Sequence, residues 1–395
     1  MSGVFDILSF SDRLDWRNDV SRGRQKLLLQ LARDRKIVNF NPPEEWRAVL
    51  RHPRAHPPRL YRVQDNLWHF EWGYLYPKFY RQRLAVRVSS FSAQMWVKYL
   101  CYKLGIDSPT YLFWGPSQVD LLPHMPRHFT IYYAYDMFEA YVYDKEESRE
   151  YVRLRETLAA SYSQVAFGYS EQICDHLRKK GFRNVHYLPN GVEPDLFLQT
   201  VDKREPKQLM SIPHPRLAFI GPVRDNLDID LFYYVAIKRP KWSQVFVGGT
   251  SYIVSREQRL KYEQLTSLPN VYQIGFQPYE SIPLFVANIE VGLALYRIDS
   301  FANYGSPLKI YEYLAAGKPV VATPISEVMK MGGVVYTAAT GEECLASIER
   351  ALREDTAERR WQRQEWARQH SWQNRARQMT AILEQEYTRW REGQK

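Results

Sequence analysis

Cysteine is scarce in this sequence, and its scarcity excludes two classes of site. The chain holds three cysteines, Cys101, Cys174 and Cys344, which lie far apart. No Cys-x-x-Cys pair and no cluster of cysteine with histidine occurs, so the sequence supports neither a structural zinc site nor a disulfide scaffold. A reducing compartment is the expected environment.

Long apolar runs are missing as well. No stretch approaches the roughly 18 apolar residues of a membrane-spanning helix. Residues 1–8 lack both a basic segment and a long apolar core, so they do not resemble a secretory signal. We therefore expect a soluble or peripheral protein in the cytoplasm.

Acidic residues are too few to balance the basic ones. The chain has 54 Lys and Arg against 44 Asp and Glu, a formal net charge of +10. Residues 1–100 hold 18 basic and 9 acidic side chains, so +9 of that charge lies near the N-terminus. Such an imbalance favours an acidic partner: anionic lipid, a polyphosphate carrier or nucleic acid.

What is present predicts an α/β protein. A chain of 395 residues with 45% apolar residues suits two domains of ordinary size. Val4–Phe10 and Ile37–Asn39 are predicted strands, and Arg24–Arg33 between them is a predicted helix. This repeat is typical of a doubly wound parallel sheet. The polar segment 199–215 contains three prolines and is the predicted linker to a second such domain.

The stretch from Tyr304 to Pro324 carries the clearest functional pattern. Pro307 is the predicted first residue of a helix, and Gly317 is its predicted end. Lys309 and Glu312 are three residues apart and so share one face of the first turn. A helix N-terminus beside a lysine suits a phosphate group, and a carboxylate one turn later can accept two sugar hydroxyls. The alternative is a surface helix with an exposed Lys–Glu pair.

Residues 307–324 closely resemble the donor-site segment of GT-B glycosyltransferases of group 1 type. Their order is Pro-Leu-Lys-x-x-Glu-Tyr-Leu-Ala-Ala-Gly-Lys-Pro-Val-Val-Ala-Thr-Pro. The segment is most similar to bacterial exopolysaccharide and teichuronic-acid-type transferases, including the xanthan glucuronosyltransferase. Pro189-Asn190-Gly191-Val192 resembles the turn that closes the first domain in this family. One position departs from the pattern: Tyr304 stands where many retaining members carry a second glutamate.

The resemblance implies two Rossmann-like domains that face each other across a cleft. Residues 1–198 would bind the acceptor and residues 199–371 the nucleotide sugar, while a helix over 372–395 would cross back to the first domain. The implied reaction is hexosyl transfer from a nucleotide sugar, which we expect to be a UDP-sugar. The implied acceptor is a lipid-linked or growing glycan in the biosynthesis of a cell-surface polysaccharide.

The resemblance also assigns residues. Those expected to bind the donor are Gly221, Arg224, Phe276, Tyr279, Tyr296, Ser306, Pro307, Leu308, Lys309 and Glu312. Lys309 is also expected to act in catalysis, because negative charge builds on the departing diphosphate. Asp228-Ile229-Asp230 has the letters of a metal-binding motif but opens a predicted helix. We therefore expect neither a metal nor another cofactor.

The expected acceptor side lies in the first domain. Asp136 follows the predicted strand Phe129–Tyr135 and is the candidate catalytic carboxylate, by resemblance to inverting relatives that carry an aspartate base in this domain. The alternatives are orientation of the acceptor, if the enzyme retains configuration, and capping of a turn. Asp15, Trp16 and Arg24 lie on or beside the loop after the first strand and are candidate acceptor contacts. A loop packed on its own sheet is the alternative for Asp15 and Trp16.

Aromatic and basic residues alternate over Tyr74–Arg87, with Lys78 and Arg81 among them. This segment favours contact with an anionic membrane surface. Single-stranded nucleic acid is the weaker alternative, because no RNA-binding signature accompanies the segment. The stripe that follows, Phe91, Met95, Trp96, Tyr99 and Leu100, has helical spacing, and we expect it to be the core face of a helix. We expect a peripheral protein on the inner face of the membrane and no nucleic acid partner.

Two other functions remain open at this point. A sugar-nucleotide epimerase can share the GT-B fold, and it would differ in needing no acceptor to release the nucleotide. A non-enzymatic basic protein that binds membrane or RNA would bind no nucleotide sugar.

Overall fold

The structure of this chain is a computed structural model. It describes residues 5–16, 23–44, 47, 51, 57–75, 83–141, 146–200, 205–298 and 301–393. Lys78 and Arg81, from the predicted membrane segment, lie outside these ranges.

The chain divides into two compact units, each described here by itself. The first comprises residues 1–189 and 376–395, and the second comprises residues 190–375. The predicted boundary was residue 198. Residues 190–198 group with the second unit instead, because the Asn190 side chain donates to the carbonyl of Ser306 at 2.6 Å and Val192 forms a bridge with Ser371.

The first unit contains an eight-stranded sheet in the order β3-β4-β2-β1-β5-β6-β7-β8. Every pairing is parallel except that of β3 with β4. Its strands are β1 Ile7–Phe10, β2 Ile37–Phe40, β3 Arg59–Gln64, β4 Leu67–Glu71, β5 Thr110–Trp114, β6 Thr130–Ala134, β7 Val165–Gly168 and β8 Val185–Tyr187. The predicted doubly wound sheet is confirmed.

The Pro- and Arg-rich sequence of residues 42–62 predicts a loop or partial helix, and strand β3 shows that this prediction is wrong for its last residues. Arg59–Gln64 is an edge strand, and its residues are half-buried or exposed. The hairpin into β4 turns at Asn66, whose φ of 63° is the left-handed conformation that asparagine tolerates. A strand with so little buried apolar surface has no clear alternating pattern.

The first unit's helices flank this sheet. They are α1 Gly23–Leu31, α2 Arg83–Leu104, α3 Phe138–Tyr141, α4 Glu146–Tyr162, α5 Glu171–Lys179 and, near the C-terminus, α14 Trp372–Glu392. The first four residues of α14, Trp372–Arg375, belong to the second unit.

The predicted core face of helix α2 is wrong for most of its residues. Phe91, Met95 and Tyr99 are exposed, whereas Ala93, Val97 and Leu100 form the buried face.

The second unit contains a six-stranded, fully parallel sheet in the order β11-β10-β9-β12-β13-β14. Its strands are β9 Arg216–Ile220, β10 Ser243–Val247, β11 Val271–Gly275, β12 Val291–Ala294, β13 Val320–Ala322 and β14 Tyr336–Thr337. Buried side chains fill β9, β10, β12 and β13 almost completely. The sequence also predicts a late strand over Val334–Tyr336. Strand β14 begins later, at Tyr336, because Gly332–Val334 form a 3-10 turn.

The helices of the second unit complete the α/β pattern. They are α6 Pro194–Leu198, α7 Ile229–Lys238, α8 Arg256–Thr266, α9 Ile282–Ala287, α10 Leu308–Ala315, α11 Ser326–Met329, α12 Gly341–Arg353 and α13 Ala357–Gln369. The sequence analysis did not find α8. Its core contact is narrow, with only Gln258, Tyr262 and Leu265 buried, although Ser255 caps its first turn.

Among the described residues, no helix is both long and apolar enough to cross a membrane.

Candidate functional site

The strand order of the second unit locates a crevice. From β9 the chain continues to β10 and β11 on one side of the sheet, and it then returns to β12 and β13 on the other side of β9. In parallel sheets, ligands bind beyond the carboxyl ends of the strands where the order reverses in this way. Gly221 follows β9 directly, and Tyr296 lies two residues after β12.

Lys309 lies at this reversal point. Its Nζ donates to the Tyr296 hydroxyl at 2.6 Å and stands 4.5 Å from the centre of the Phe219 ring. A Cβ added at Gly221 would lie 3.1 Å from Lys309 Cε, so the glycine leaves room for the lysine. The structure therefore brings together three of the predicted donor residues: Gly221, Tyr296 and Lys309.

The loops after β9 and β10 approach so closely that only glycine fits. Gly248 has a φ of 155°, and a Cβ at this residue would lie 2.1 Å from the carbonyl oxygen of Gly221. The amide of Gly221 donates to Val247 at 2.8 Å, and the amide of Val223 donates to Gly249 at 2.9 Å. These contacts fix the backbone of the loop beside Lys309. The sequence showed two adjacent glycines here but not their contact with the other loop.

We expect Gly248→Ala to destabilise the protein by about 1–3 kcal/mol, because the methyl group meets backbone and the φ disfavours a side chain. The measurement is the free energy of unfolding in denaturant. Gly249→Ala is the matched control, since a Cβ there meets nothing within 4 Å. Equal stability of the two variants would contradict the close approach.

Helix α10 is held against the sheet by an internal tyrosine. The Tyr313 hydroxyl accepts from the amide of Ile220 at 2.8 Å and donates to the carbonyl of Ala218 at 3.2 Å. A Cβ at Gly292 would lie 2.3 Å from the Tyr313 ring, so the ring lies flat on β12. These contacts position the first turn of the helix at the ends of β9 and β12. Pro307 is the residue before the helix rather than its first residue, and Leu308 begins it.

Glu312 is buried, which argues against the exposed Lys–Glu pair. Only 7% of this residue is exposed. The Tyr279 hydroxyl hydrogen-bonds Glu312, whereas the Lys309 ammonium bonds Tyr296. Burial raises the pKa of Tyr279 well above its usual value, and the charges of Glu312 and Glu193 add to the rise. The phenol therefore stays protonated and donates to the Glu312 carboxylate.

The remaining predicted donor residues are spread along the same unit. The Arg224 guanidinium lies 4.5 Å above the Tyr252 ring. Phe276 is 78% exposed on the loop after the edge strand β11. The buried Ser306 hydroxyl is 3.4 Å from the hydroxyl of Tyr311. Among the described residues, no contact joins Lys309 to Arg224 or to Phe276.

Helix α10 presents positive charge at its first turn. The early N–H groups of a helix lack partners within the helix and carry the positive end of its dipole. The Lys309 ammonium adds a full charge beside them, close to the glycine loop after β9. Together these groups can bind an anion of diphosphate size, and the buried Glu312 can accept hydrogen bonds from hydroxyls one turn away.

The first unit has its own polar cluster at the carboxyl edge of its sheet. The Tyr135 hydroxyl donates to Asp12, which pairs with Arg24 at 3.2 Å, and the Arg24 guanidinium lies 3.6 Å above the Tyr135 ring. Burial raises the pKa of Tyr135 well above its usual value; Arg24 opposes the rise and Asp12 adds to it. Arg24 was a predicted acceptor contact, whereas Asp12 and Tyr135 were missed.

Asp136 lies beside this cluster, directly after Tyr135. Its Oδ1 accepts from the amide of Met137 at 2.9 Å and from the Tyr169 hydroxyl at 3.5 Å. The carboxylate thus caps a turn, as the structural alternative expects, and it also lies at a strand end, as the catalytic assignment requires.

Asp15 and Trp16 are placed differently from Arg24. Trp16 is buried and packs 6.2 Å from the ring of His69, while the carbonyl of Asp15 accepts from Gln25 at 3.0 Å. This arrangement matches the alternative in which the loop packs on its own sheet. The Asp15 side chain is exposed.

Two buried polar residues at the β1 and β5 ends were missed by the sequence analysis. Gln118 donates to the carbonyls of Ser11 and Phe40 at 2.6 and 3.1 Å. Within the described part of the chain, the Ser11 hydroxyl and Gln118 Oε1 are buried without a hydrogen-bond partner. The sheet order reverses between β1 and β5, so these groups lie at the first unit's own reversal point.

One group of described residues has the geometry of a cation site. Ligand atoms of Glu139, Glu156 and His176 lie within 4.8 Å of one another. However, Glu139 already pairs with Lys180 and Arg153, and His176 lies 2.8 Å from Glu156. Both cations pair with Glu139, while Glu156 is hydrogen-bonded to His176, so pairing within the protein accounts for the closeness of these groups.

Comparison with known proteins agrees with this architecture. Residues 220–381 match the family model described as glycosyl transferase-like. TuaH of Bacillus subtilis (strain 168), which bears the name of a teichuronic acid biosynthesis glycosyltransferase, is 31% identical over 167 residues. That match covers 41% of this chain, and it spans only 40% of TuaH.

Solved structures match almost the whole chain. HepE from Anabaena, in complex with UDP and glucose, has a TM-score of 0.63 at 16% identity and covers 96% of this chain and 99% of its own. The structure named "Trehalose-6-phosphate from E. coli bound with UDP-2-fluoro glucose" has a TM-score of 0.68 at 11% identity, with the same coverage of 96% and 99%. These likenesses show the GT-B fold.

Proposed function

We propose that this chain is a glycosyltransferase of group 1 type that transfers a hexose from a nucleotide sugar to a glycan acceptor. Residues 220–381 match the glycosyl transferase-like family model, and the chain has the GT-B fold. The observation that carries the proposal is the position of Lys309. Its ammonium lies at the reversal point of the second unit's sheet, beside Gly221 and one turn from the buried Glu312. This arrangement suits a diphosphate linked to a ribose.

The proposed donor is a UDP-sugar. Two structures with the same fold contain UDP or a UDP-sugar derivative, which supports the same base here. Lys309 and the N–H groups of the α10 first turn would meet the diphosphate charge, and Glu312 would accept from the ribose hydroxyls. With these groups to neutralise the diphosphate, the proposed reaction requires no metal and no further cofactor.

The proposed acceptor is a lipid-linked or growing glycan of a cell-surface polysaccharide. The named role of TuaH in teichuronic acid biosynthesis and the basic N-terminal region support this choice. Asp136 is the proposed base that takes the proton from the acceptor hydroxyl. We place the reaction on the inner face of a membrane, with the protein attached peripherally.

We expect Glu312→Gln to weaken donor binding by about 1–3 kcal/mol, the range for a hydrogen bond to a charged group. Turnover at saturating donor should change less, because the ribose hydroxyls are unaltered by the reaction. The measurements are a donor titration and the rate at saturating donor. The control is Glu280→Gln, which removes an exposed carboxylate beside Tyr279. Unchanged donor affinity in Glu312→Gln would contradict the ribose role.

A panel of UDP-, GDP- and ADP-sugars, tested by thermal shift on the full chain, tests the proposed function. One nucleotide series should raise the unfolding temperature, and release of the nucleoside diphosphate should then depend on added acceptor. Release without any acceptor would favour an epimerase or hydrolase. Failure of all three series to bind would favour a non-enzymatic basic protein.

A further inference from the structure

Helix α2 carries an apolar stripe on its outer face. Five of its large apolar residues are about half exposed or more: Val88, Phe91, Met95, Tyr99 and Tyr102. Their spacing of three, four, four and three residues places them within about 80° of one another around the helix. Phe91 is 62% exposed and Tyr102 is 88% exposed, so the stripe is not part of the core.

The opposite face of α2 accounts for the packing of this helix. Ser90, Ala93, Val97 and Leu100 are buried. Trp96, on the flank, packs against Phe70 of β4 with ring centres 6.5 Å apart. The helix is therefore anchored to its own sheet by one side. In its outer stripe, Tyr99 also packs edge-on against Trp96, with ring centres 5.4 Å apart, yet 49% of Tyr99 remains exposed.

The charges of the helix have one sign. The sequence of α2, Arg83–Leu104, contains four basic residues and no acidic one. Lys98 and Lys103 are exposed on the two sides of the stripe, and the Lys103 ammonium is 6.0 Å from the Tyr99 ring. Long basic side chains beside an apolar stripe can reach anionic groups while the stripe is buried. Residues 1–100, which include most of α2, contribute +9 to the net charge.

We propose that the outer stripe of α2 docks the protein on an anionic lipid bilayer. The helix lies parallel to the surface, its five apolar side chains enter the boundary between headgroups and acyl chains, and Lys98 and Lys103 contact anionic headgroups. Charge complementarity selects this partner, because an apolar face flanked only by cations is typical of a helix that lies in a membrane interface. The inference is independent of the proposed sugar transfer, since α2 contributes no residue to the proposed donor site.

The surface differs from the one expected from the sequence. The sequence predicts membrane contact for Tyr74–Arg87 and predicts that the stripe after it is the core face of a helix. The exposure of Phe91, Met95 and Tyr99 moves the apolar contact onto α2 itself. The variants that test it therefore lie within the described residues.

The test is co-sedimentation of the full chain with vesicles of phosphatidylcholine alone or with phosphatidylglycerol added. Wild type should bind the mixed vesicles, bind the neutral vesicles less, and release as salt rises. The double variant Phe91→Ser with Met95→Ser should bind about tenfold or more weakly. Lys98→Glu with Lys103→Glu should lose the preference for anionic vesicles.

The matched control changes two apolar residues of similar exposure in the second unit. Leu260 and Trp361 are 55% and 57% exposed. Leu260→Ser with Trp361→Ser should bind vesicles as wild type does. Thermal unfolding of every variant confirms that it is folded, and donor binding by the α2 variants should be unchanged.

Three results would overturn the proposal. Vesicle binding that is the same in wild type and in Phe91→Ser with Met95→Ser would remove the stripe as the contact. A wild-type dimer that dissociates in this variant, without vesicle binding by either, would make a second copy of the chain the partner. Binding of single-stranded RNA in place of vesicles, lost in Lys98→Glu with Lys103→Glu, would assign the surface to nucleic acid.

Discussion

Lys309→Ala is expected to weaken donor binding and to lower turnover at saturating donor by about 10²-fold, the effect of removing one group that stabilises developing charge. The ammonium lies beside Gly221 and at the first turn of α10, where the helix dipole acts on the same anion. Negative charge on the diphosphate grows as the sugar leaves, so the lysine contributes more in the transition state than in the ground state.

Two controls separate this effect from a loss of structure. Lys261→Ala removes an ammonium on α8 that pairs with Asp230 on α7 of the same unit. The activity of this variant should equal that of wild type. Tyr296→Phe removes the hydroxyl that accepts from Lys309 but keeps the charge, so it should cost less than Lys309→Ala. Donor titrations and saturated rates are the measurements. Wild-type affinity and turnover in Lys309→Ala would contradict a role of Lys309 in donor binding and catalysis.

Asp136→Asn is expected to lower turnover by about 10²-fold or more, the contribution of a positioned general base. Donor affinity should remain close to that of wild type, because Asp136 lies in the first unit and the proposed donor residues lie in the second. Asparagine keeps an Oδ1 that can accept from the Met137 amide, so the turn cap survives the substitution. The variant therefore removes the charge and the basicity while it preserves the local structure.

Asp175→Asn serves as the control for Asp136, because its exposed carboxylate pairs with the exposed Arg178 on the outer face of α5. It should leave turnover unchanged. Turnover of Asp136→Asn near that of wild type would leave this residue only its capping role. Asp12, which pairs with Arg24 and accepts from Tyr135, would then be the next carboxylate to replace.

The sheets and the helix α10 could be predicted because their residues carry local signals. Buried parallel strands such as Leu217–Ile220 are continuous apolar runs, and Gly317 marks a helix end. Lys309 and Glu312 were assigned from one contiguous segment. Their partners Tyr296 and Tyr279 were in the predicted donor set, but the bonds to them were not foreseen.

What the sequence missed depends on contacts between distant segments. The approach of Gly248 to Gly221 joins loops after two different strands, and the pairing of Asp12 with Arg24 and Tyr135 joins three segments. Helix α2 shows a different difficulty. It has apolar residues on two opposite faces, and helical spacing alone does not tell which face the sheet covers.

The most direct test of the account is a calorimetric titration of the nucleoside diphosphates UDP, GDP and ADP into the full chain, with Lys309→Ala and Glu312→Gln beside wild type. It needs neither the sugar nor the acceptor to be known. The account predicts that wild type binds one nucleoside diphosphate, and that each variant binds it more weakly while Glu280→Gln does not. Absence of binding to all three, or equal affinity in wild type and both variants, would contradict a donor site at α10.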